Sequence, residues 1–421
     1  MTSDSLRANV IWAFAGNGGY ALCQWGILIA IAKLGSATDV GSFALALALT
    51  GPPMMFANLH LRAVQATDAA DVFPFGNYLG LRLLTSALAL MLIAGLALAT
   101  QGRGERLALV GLVGAAKAIE SICDVLYGRL QRDERQRRIA MSMLVRGMVS
   151  VAAVGGTLAS GGTVVDAIAM MAAGWLGCLL VIDLPSVRAT TSLRPVFTRA
   201  ALAPLAWTAL PMGCVMALGS LTTNLPRYAL EAASGTQALG HFAAIAYLFV
   251  ATMQPMLAVG AAVSPRLARL YQCDVIAYQQ LVRRTVQIAI VLGLLVISGV
   301  LTGGARLLSA VYTPDYAVHI RAFEWAAVAT GLGFVASALG YAATAARRFH
   351  AQLLTAVIAL CTCAIASALL VPSHGLVGAA WAIGCTEAVR TLCGLVIYTD
   401  TVARRAPHPA PSLIAEVARV G

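Results

Sequence analysis

Residues 286–302 read VQIAIVLGLLVISGVLT and follow, after Thr285, on the basic pair Arg283-Arg284. The run is continuously apolar and shows no two-residue alternation. It therefore reads as a membrane-spanning helix and not as a barrel strand. Comparable runs recur along the whole chain, near 9–32, 39–61, 77–99, 107–128, 140–159, 164–183, 204–224, 238–261, 322–344, 351–371 and 376–398. With 286–302 they make about twelve spans, rich in Leu, Ala, Val, Ile and Gly, as spanning helices are. The expected fold class is an all-α polytopic membrane protein, built from two similar halves of about six helices each.

Composition agrees with that class. Of 421 residues, 59% are hydrophobic and 11% charged, and the mean hydropathy is +0.81. A soluble domain carries about twice that charge, and roughly half of any folded surface must meet water. The net charge of +11 does not point to nucleic acid, because the basic residues sit in short connections and form no single stripe. Only Lys33 and Lys117 are lysines, an arginine bias that fits a GC-rich genome as well as a function. Eight of the nine cysteines lie in or beside apolar runs and read as small buried apolar residues; Cys273 lies in a basic loop. Cys361 and Cys363, two apart on a helix, should diverge. The histidines are scattered without metal partners at ligand spacing, so neither metal nor cofactor is expected. The first apolar run lacks a small-residue cleavage site and reads as a retained helix.

The connections alternate in charge. One set carries Arg129 to Arg138, Arg188 to Arg199, Arg266 to Arg284, Arg347-Arg348 and Arg404-Arg405; the other is short and sparse, with Lys33, Arg103, Arg106, Gly161 and His374. The positive-inside rule places the first set, and both termini, in the cytoplasm of a bacterial-type inner membrane. The expected division is an amino-terminal lobe over 1–183, a cytoplasmic linker over 184–203 with Pro195, a carboxy-terminal lobe over 204–400 and a cytoplasmic tail over 401–421. An internal repeat supports two like halves. Gly41-Ser42-Phe43-Ala44 matches Gly240-His241-Phe242-Ala243, each entering the second span of its half, and Pro52-Pro53 and Pro255 follow in those spans.

A charge at membrane depth costs a few kcal/mol, so those present are informative. Lys117, Glu120 and Asp124 share one helical face by their spacing of three and four. Arg146 lies at a similar depth on the next span, and Glu387 and Arg390 sit three apart on the last. Asn17, Tyr20 and Gln24 share a face of the first span, and Asn224-Leu225-Pro226-Arg227-Tyr228 closes the seventh near its outer end. Two readings stand side by side. Lys117 with Glu120, Glu387 with Arg390, and Arg146 with Asp124 are internal ion pairs that ease insertion. Alternatively, the cations hold a phosphate or pyrophosphate in an aqueous cavity, since guanidinium meets phosphate oxygens through two parallel hydrogen bonds. A nearby carboxylate would then exchange a proton or a sodium ion. In this second reading Lys117, Arg146, Arg227, Arg390, Asn17 and Gln24 bind substrate, while Glu120, Asp124 and Glu387 couple to the ion.

Three stretches resemble the polysaccharide transporter (Wzx-type flippase) branch of the multidrug/oligosaccharidyl-lipid/polysaccharide (MOP) superfamily. They are Asn9-Val10-Ile11-Trp12 with Leu34-Gly35 and Gly41 to Ala44; Lys117 to Gly128 running into Gln131 to Arg135; and Asn224 to Tyr228 with Leu239-Gly240 and Ser264-Pro265-Arg266-Leu267-Ala268. Tyr312-Thr313-Pro314-Asp315-Tyr316-Ala317 is similar to the family's tyrosine-containing turn before the tenth span. The resemblance implies two six-helix lobes around a cavity. It also implies flipping of a polyprenyl-pyrophosphate-linked oligosaccharide from the inner to the outer leaflet, for surface polysaccharides such as O-antigen or exopolysaccharide. Partners would be that lipid, the bilayer and polysaccharide-assembly proteins, and the chain would be no enzyme. Two alternatives remain open at this point: a drug/cation antiporter of the same superfamily, and an integral-membrane enzyme of glycan assembly. The short outer loops and the lack of a His-Asp pair at acyltransferase spacing weigh against the enzyme. The loop Ala63 to Asp71 also lacks the Gly-Asp-Arg signature of major-facilitator transporters.

Overall fold

A computed structural model describes residues 3–68, 72–101, 104–188 and 191–404. The expected tail beyond Arg404 lies outside these residues. Among them the regular structure is helical: α1 (Ser3–Leu34), α2 (Ala37–Asn58), the short α3 (Leu61–Thr67), α4 (Phe75–Gln101), α5 (Glu105–Arg132), α6 (Gln136–Ala159), α7 (Val164–Cys178), which a π-helical turn (Leu179–Asp183) continues into α8 (Leu184–Arg188), then α9 (Arg199–Cys273), α10 (Val275–Val311), α11 (Pro314–Ala317), α12 (Ile320–Ala345) and α13 (Phe349–Ala403).

Eight of the helices are long and apolar enough to cross a membrane. Two of these are each a pair of helices. Gly235 (φ 81) interrupts α9 and Gly375 (φ 54) interrupts α13, both in conformations that a side chain disfavours. The chain reverses at Gly235. Before it, Gly213 packs on Phe56 and Leu59, and the Tyr228 hydroxyl reaches the Ala48 carbonyl; after it, Gly240 packs on Ala37 and Gly41. With α1 and α5, also of membrane length, the twelve expected spans are all present in order.

Local signals set the helix starts. Ser36 caps α2 and Thr163 caps α7, each in a reciprocal capping box with the acidic residue three positions on, Asp39 and Asp166. Asp166, exposed at the start of α7, completes this cap. Within each half small residues let backbones approach. Gly16, Gly19, Gly26 and Gly147 seat α1 against α6, and Gly293 meets Gly331 where α10 crosses α12. Between α8 and α9 the chain lies along the start of α4. Val196 N–H donates to the Gly76 carbonyl (3.0 Å), and Gly76 and Gly80 leave the backbone room to do so.

The repeat read in the sequence is the contact between halves. Gly41 of α2 sits on Thr236 and Gly240, and Gly240 sits on Ala37 and Gly41. Further contacts close the same end. Trp25 Nε1 donates to the Tyr312 hydroxyl (3.1 Å), which donates to the Ala244 carbonyl (3.0 Å). Lys33 Nζ reaches the Ala310 carbonyl (3.1 Å), and Arg106 pairs with Glu231 (3.6 Å) and Thr236 (3.0 Å). The bundle is therefore closed at its Gly41 end.

Three cysteines depart from expectation: Cys214, Cys361 and Cys385 are exposed, while Cys123, Cys178 and Cys363 are buried. Cys273, expected in a basic loop, is exposed at the end of α9. A helix surrounded by lipid presents small apolar residues outward as readily as inward. Cys361 and Cys363 do diverge.

Candidate functional site

The amino-terminal cluster is built on α1, α5, α6 and α7. Glu120 of α5 accepts from Tyr20 of α1 (2.7 Å) and from Lys117 one turn earlier (2.8 Å), and lies 3.8 Å from the Arg146 guanidinium of α6. Arg146 is 2% exposed. Its Cζ stands 5.0 Å from the Tyr20 ring, 5.3 Å from Trp175 and 5.7 Å from Tyr127, an aromatic box in which each ring face attracts the cation. The box is braced from behind, since Trp175 Nε1 donates to Ser150 Oγ, which donates to the Arg146 carbonyl. Nε and Nη1 of Arg146 are buried without a hydrogen-bond partner among the described residues.

Asp124 does not join this cluster. Arg146 meets Glu120, while Asp124 lies 3.5 Å from Arg62 and 3.4 Å from Arg82. Arg82, wholly buried on α4, also donates to Asn58, as does Ser121. The expected Arg146–Asp124 pair is thus replaced by a lock between α3, α4 and α5. Four residues beyond Glu120 on α5, the Asp124 carboxylate meets arginines that other elements supply. Asn17 is exposed and donates to the Ala13 carbonyl, one turn back. Gln24 is half-buried, with its Nε2 unpartnered.

In the carboxy-terminal half a cavity of about 640 Å³ opens between both halves of α9, α12 and both halves of α13. Its walls carry Thr222, Thr223, Arg227, Thr386, Glu387 and Arg390. Glu387 accepts both bonds it makes to Arg390 from one nitrogen, at 2.8 and 3.0 Å. Arg227 donates to Asn224 (2.9 Å), and no carboxylate stands within ion-pair distance of it among the described residues. Arg227 does not close its span, as expected from sequence, but lies two turns inside a helix that continues to the break at Gly235. Tyr247, on the second half of α9, stands within electrostatic range of both Glu120 and Arg227.

No family model matches this chain. A capsular polysaccharide biosynthesis protein, CapF of Staphylococcus aureus, is 26% identical over 400 residues, covering 93% of this chain and 98% of that protein. The lipid II flippase MurJ in an inward closed conformation superposes with a TM-score of 0.72 at 10% identity, over 94% of this chain and 89% of that one. A multidrug resistance MATE family transporter of the MOP superfamily, in an inward-facing conformation, superposes with a TM-score of 0.67 at 16% identity, over 94% and 96%. The chain has the MOP fold. It is a multi-pass membrane protein of two six-helix lobes, joined where Gly41 meets Gly240.

Several residues of this MOP-fold site were not singled out by sequence. Arg82 was legible, as a lone charge within the apolar run 77–99. Asp183 closes an apolar run and was open to the same reading. Tyr127 and Trp175 carried no signal, because an aromatic on a spanning helix reads as core or lipid contact until its neighbour is known. Tyr247 likewise acquires a role only through the packing of α9.

Proposed function

We propose that this chain moves an anionic lipid-linked oligosaccharide, of the polyprenyl-pyrophosphate class, from the cytoplasmic to the outer leaflet of a bacterial inner membrane. One observation carries the reading. Each lobe sets two cations against one carboxylate on its side of the boundary: Lys117 and Arg146 against Glu120, and Arg227 and Arg390 against Glu387. The surplus is positive in both lobes. An anion gains from it, whereas a cationic drug would meet repulsion at both walls, which disfavours the antiporter. The polysaccharide role of the CapF relative and the lipid substrate of MurJ are in keeping with this choice.

In this account Lys117 and Arg146 take the pyrophosphate, and Arg227 and Arg390 line the opposite wall. Glu120 and Glu387 hold the cations when the site is empty. Asp124, fixed between two arginines, serves the packing of α3, α4 and α5. The lobes comprise 1–183 and 204–400, and both termini and the Arg129–Arg138 connection are cytoplasmic. The Gly41 end is then the outer end, and the structure is the state closed to the outside. Rocking of the lobes about the α2–α9 contact exposes the site alternately to the two leaflets.

Deleting the gene tests this reading. The expected result is loss of a surface glycan, with its lipid-linked repeat unit accumulating toward the cytoplasm. Unchanged surface glycan with lowered resistance to cationic dyes would favour the antiporter instead.

A further inference from the structure

The amino-terminal lobe holds a buried carboxylate that the account above does not use. Asp183 is 1% exposed and ends the π-helical turn of residues Leu179–Asp183. Such a wide turn costs helix geometry and recurs at functional sites. Asp183 Oδ1 accepts from Ser142 Oγ, which pairs with the Tyr127 hydroxyl (2.8 Å), and the Cys123 thiol stands nearby. Oδ2 is buried and has no hydrogen-bond partner among the described residues.

The contrast with Glu120 is instructive. Glu120 faces a phenol, an ammonium and a guanidinium, donors that suit a permanent negative charge. Asp183 faces a hydroxyl and a thiol, with one oxygen bare in a dry site, an arrangement that suits a carboxylic acid. The titratable and charged groups around it are Cys123 and Tyr127 on α5, Arg146 on α6 and Cys178 on its own helix. Arg146 connects the two carboxylates. Its Nε and Nη1 are also unpartnered, and the Tyr127 ring that boxes it carries the hydroxyl leading through Ser142 to Asp183.

We propose that Asp183 is a proton-binding site of the amino-terminal lobe, and that its protonation frees Arg146 to hold an anion. With Asp183 neutral, Lys117, Arg146 and Glu120 sum to one positive charge. When Asp183 releases its proton to water the sum is zero, and the free N–H groups of Arg146 gain a competing acceptor. Anion and proton then bind with mutual reinforcement, a coupling that is reciprocal by thermodynamic necessity. A sodium ion fits less well. One carboxylate, two hydroxyls, two thiols and a guanidinium make a poor shell for a hard cation that takes oxygen ligands. Only the anion half of the proposal rests on the transport reading.

Infrared spectroscopy of the purified full-length protein across the neutral pH range tests the proton half without any substrate. The wild type should show a protonated carboxylic-acid carbonyl band that shifts in D2O and fades as pH rises. Asp183→Asn should lose the band, Glu120→Gln should keep it, and Ser142→Ala should move its frequency. Absence of the band in the wild type, or its survival in Asp183→Asn, overturns the proposal. Inorganic pyrophosphate then probes the coupling. Once the band is fading, wild-type affinity should drop roughly tenfold per pH unit relative to that of Asp183→Asn. A band that titrates as stated, with pyrophosphate affinity the same in both proteins at every pH, leaves the proton site standing and overturns its link to the anion.

Discussion

Gly41 on α2 and Gly240 on the second half of α9 meet reciprocally: a Cβ on Gly41 would collide with the Thr236 carbonyl, and a Cβ on Gly240 with that of Ala37. The offset between Gly41 and Gly240 equals that between Ala37 and Thr236, so two corresponding helix entries pack as equivalents across a pseudo-twofold. Two facing backbones leave no flexible side chain to yield. Gly240→Ala should destabilise this closed end by about 1–3 kcal/mol, the usual cost of overpacking. That corresponds to a population shift of about 5- to 150-fold. A cysteine placed at the buried Ala44, in a background free of the native cysteines, should then react faster with a thiol reagent applied from the Gly41 end. An unchanged rate would mean that this contact does not hold the end shut.

Arg146 separates the functional and structural readings of its cluster. Arg146→Lys keeps the charge but loses the planar group that matches both the aromatic box and a phosphate, so transport should fall partly. Arg146→Ala should reduce transport severely, at near-normal abundance, because Glu120 retains Tyr20 and Lys117 as partners. Abundance falling in step with transport, measured in membranes by quantitative blotting, would assign Arg146 to folding.

The Arg62–Asp124–Arg82 lock should behave in the opposite way. Asp124→Ala leaves the fully buried Arg82 without its countercharge, a change that typically costs about 3–5 kcal/mol. Removing both partners, as in Asp124→Leu with Arg82→Met, should cost less than the single change. Thermal unfolding in detergent measures this, and transport per molecule should stay near the wild-type level.

Asp68, between α3 and α4 and outside the spans, supplies a pH dependence. Burial disfavours its charge, but the backbone N–H groups of Val72 (3.0 Å) and Phe73 (3.1 Å) and the Tyr78 hydroxyl (3.1 Å) outweigh this and hold the carboxyl below its usual range. Its contribution is therefore complete above the unfolded-state value of about 3.9 and is lost as pH falls through the lower folded value. Asp68→Asn should lower stability at neutral pH and flatten that part of the acid-unfolding curve.

The architecture was legible because lipid imposes one rule, a long apolar helix, on every span. The run 286–302 and the Gly41/Gly240 repeat expressed that rule directly. Pairs three residues apart, Lys117 with Glu120 and Glu387 with Arg390, were legible because a helix fixes that geometry by itself. What one helix presents to another was not. The face of α5 was correctly polar, yet nothing in the spacing told Glu120, which meets Arg146, from Asp124, which meets Arg62 and Arg82. Nor does the sequence announce the tight reversal at Gly235, and so Arg227 was assigned to a span end when it lies inside a helix lining the cavity.

The central claim is that two cation-rich walls carry an anionic lipid-linked oligosaccharide across the bilayer. Reconstitution of the full-length protein into liposomes holding a polyprenyl-pyrophosphate oligosaccharide tests it most directly, read out by the fraction of glycan that an added glycosidase can reach. The account expects this fraction to rise with time for the wild type and to stay at the protein-free level for Arg146→Ala and Arg227→Ala. Wild-type liposomes that leave the glycan where it began, while concentrating a cationic dye, would contradict it.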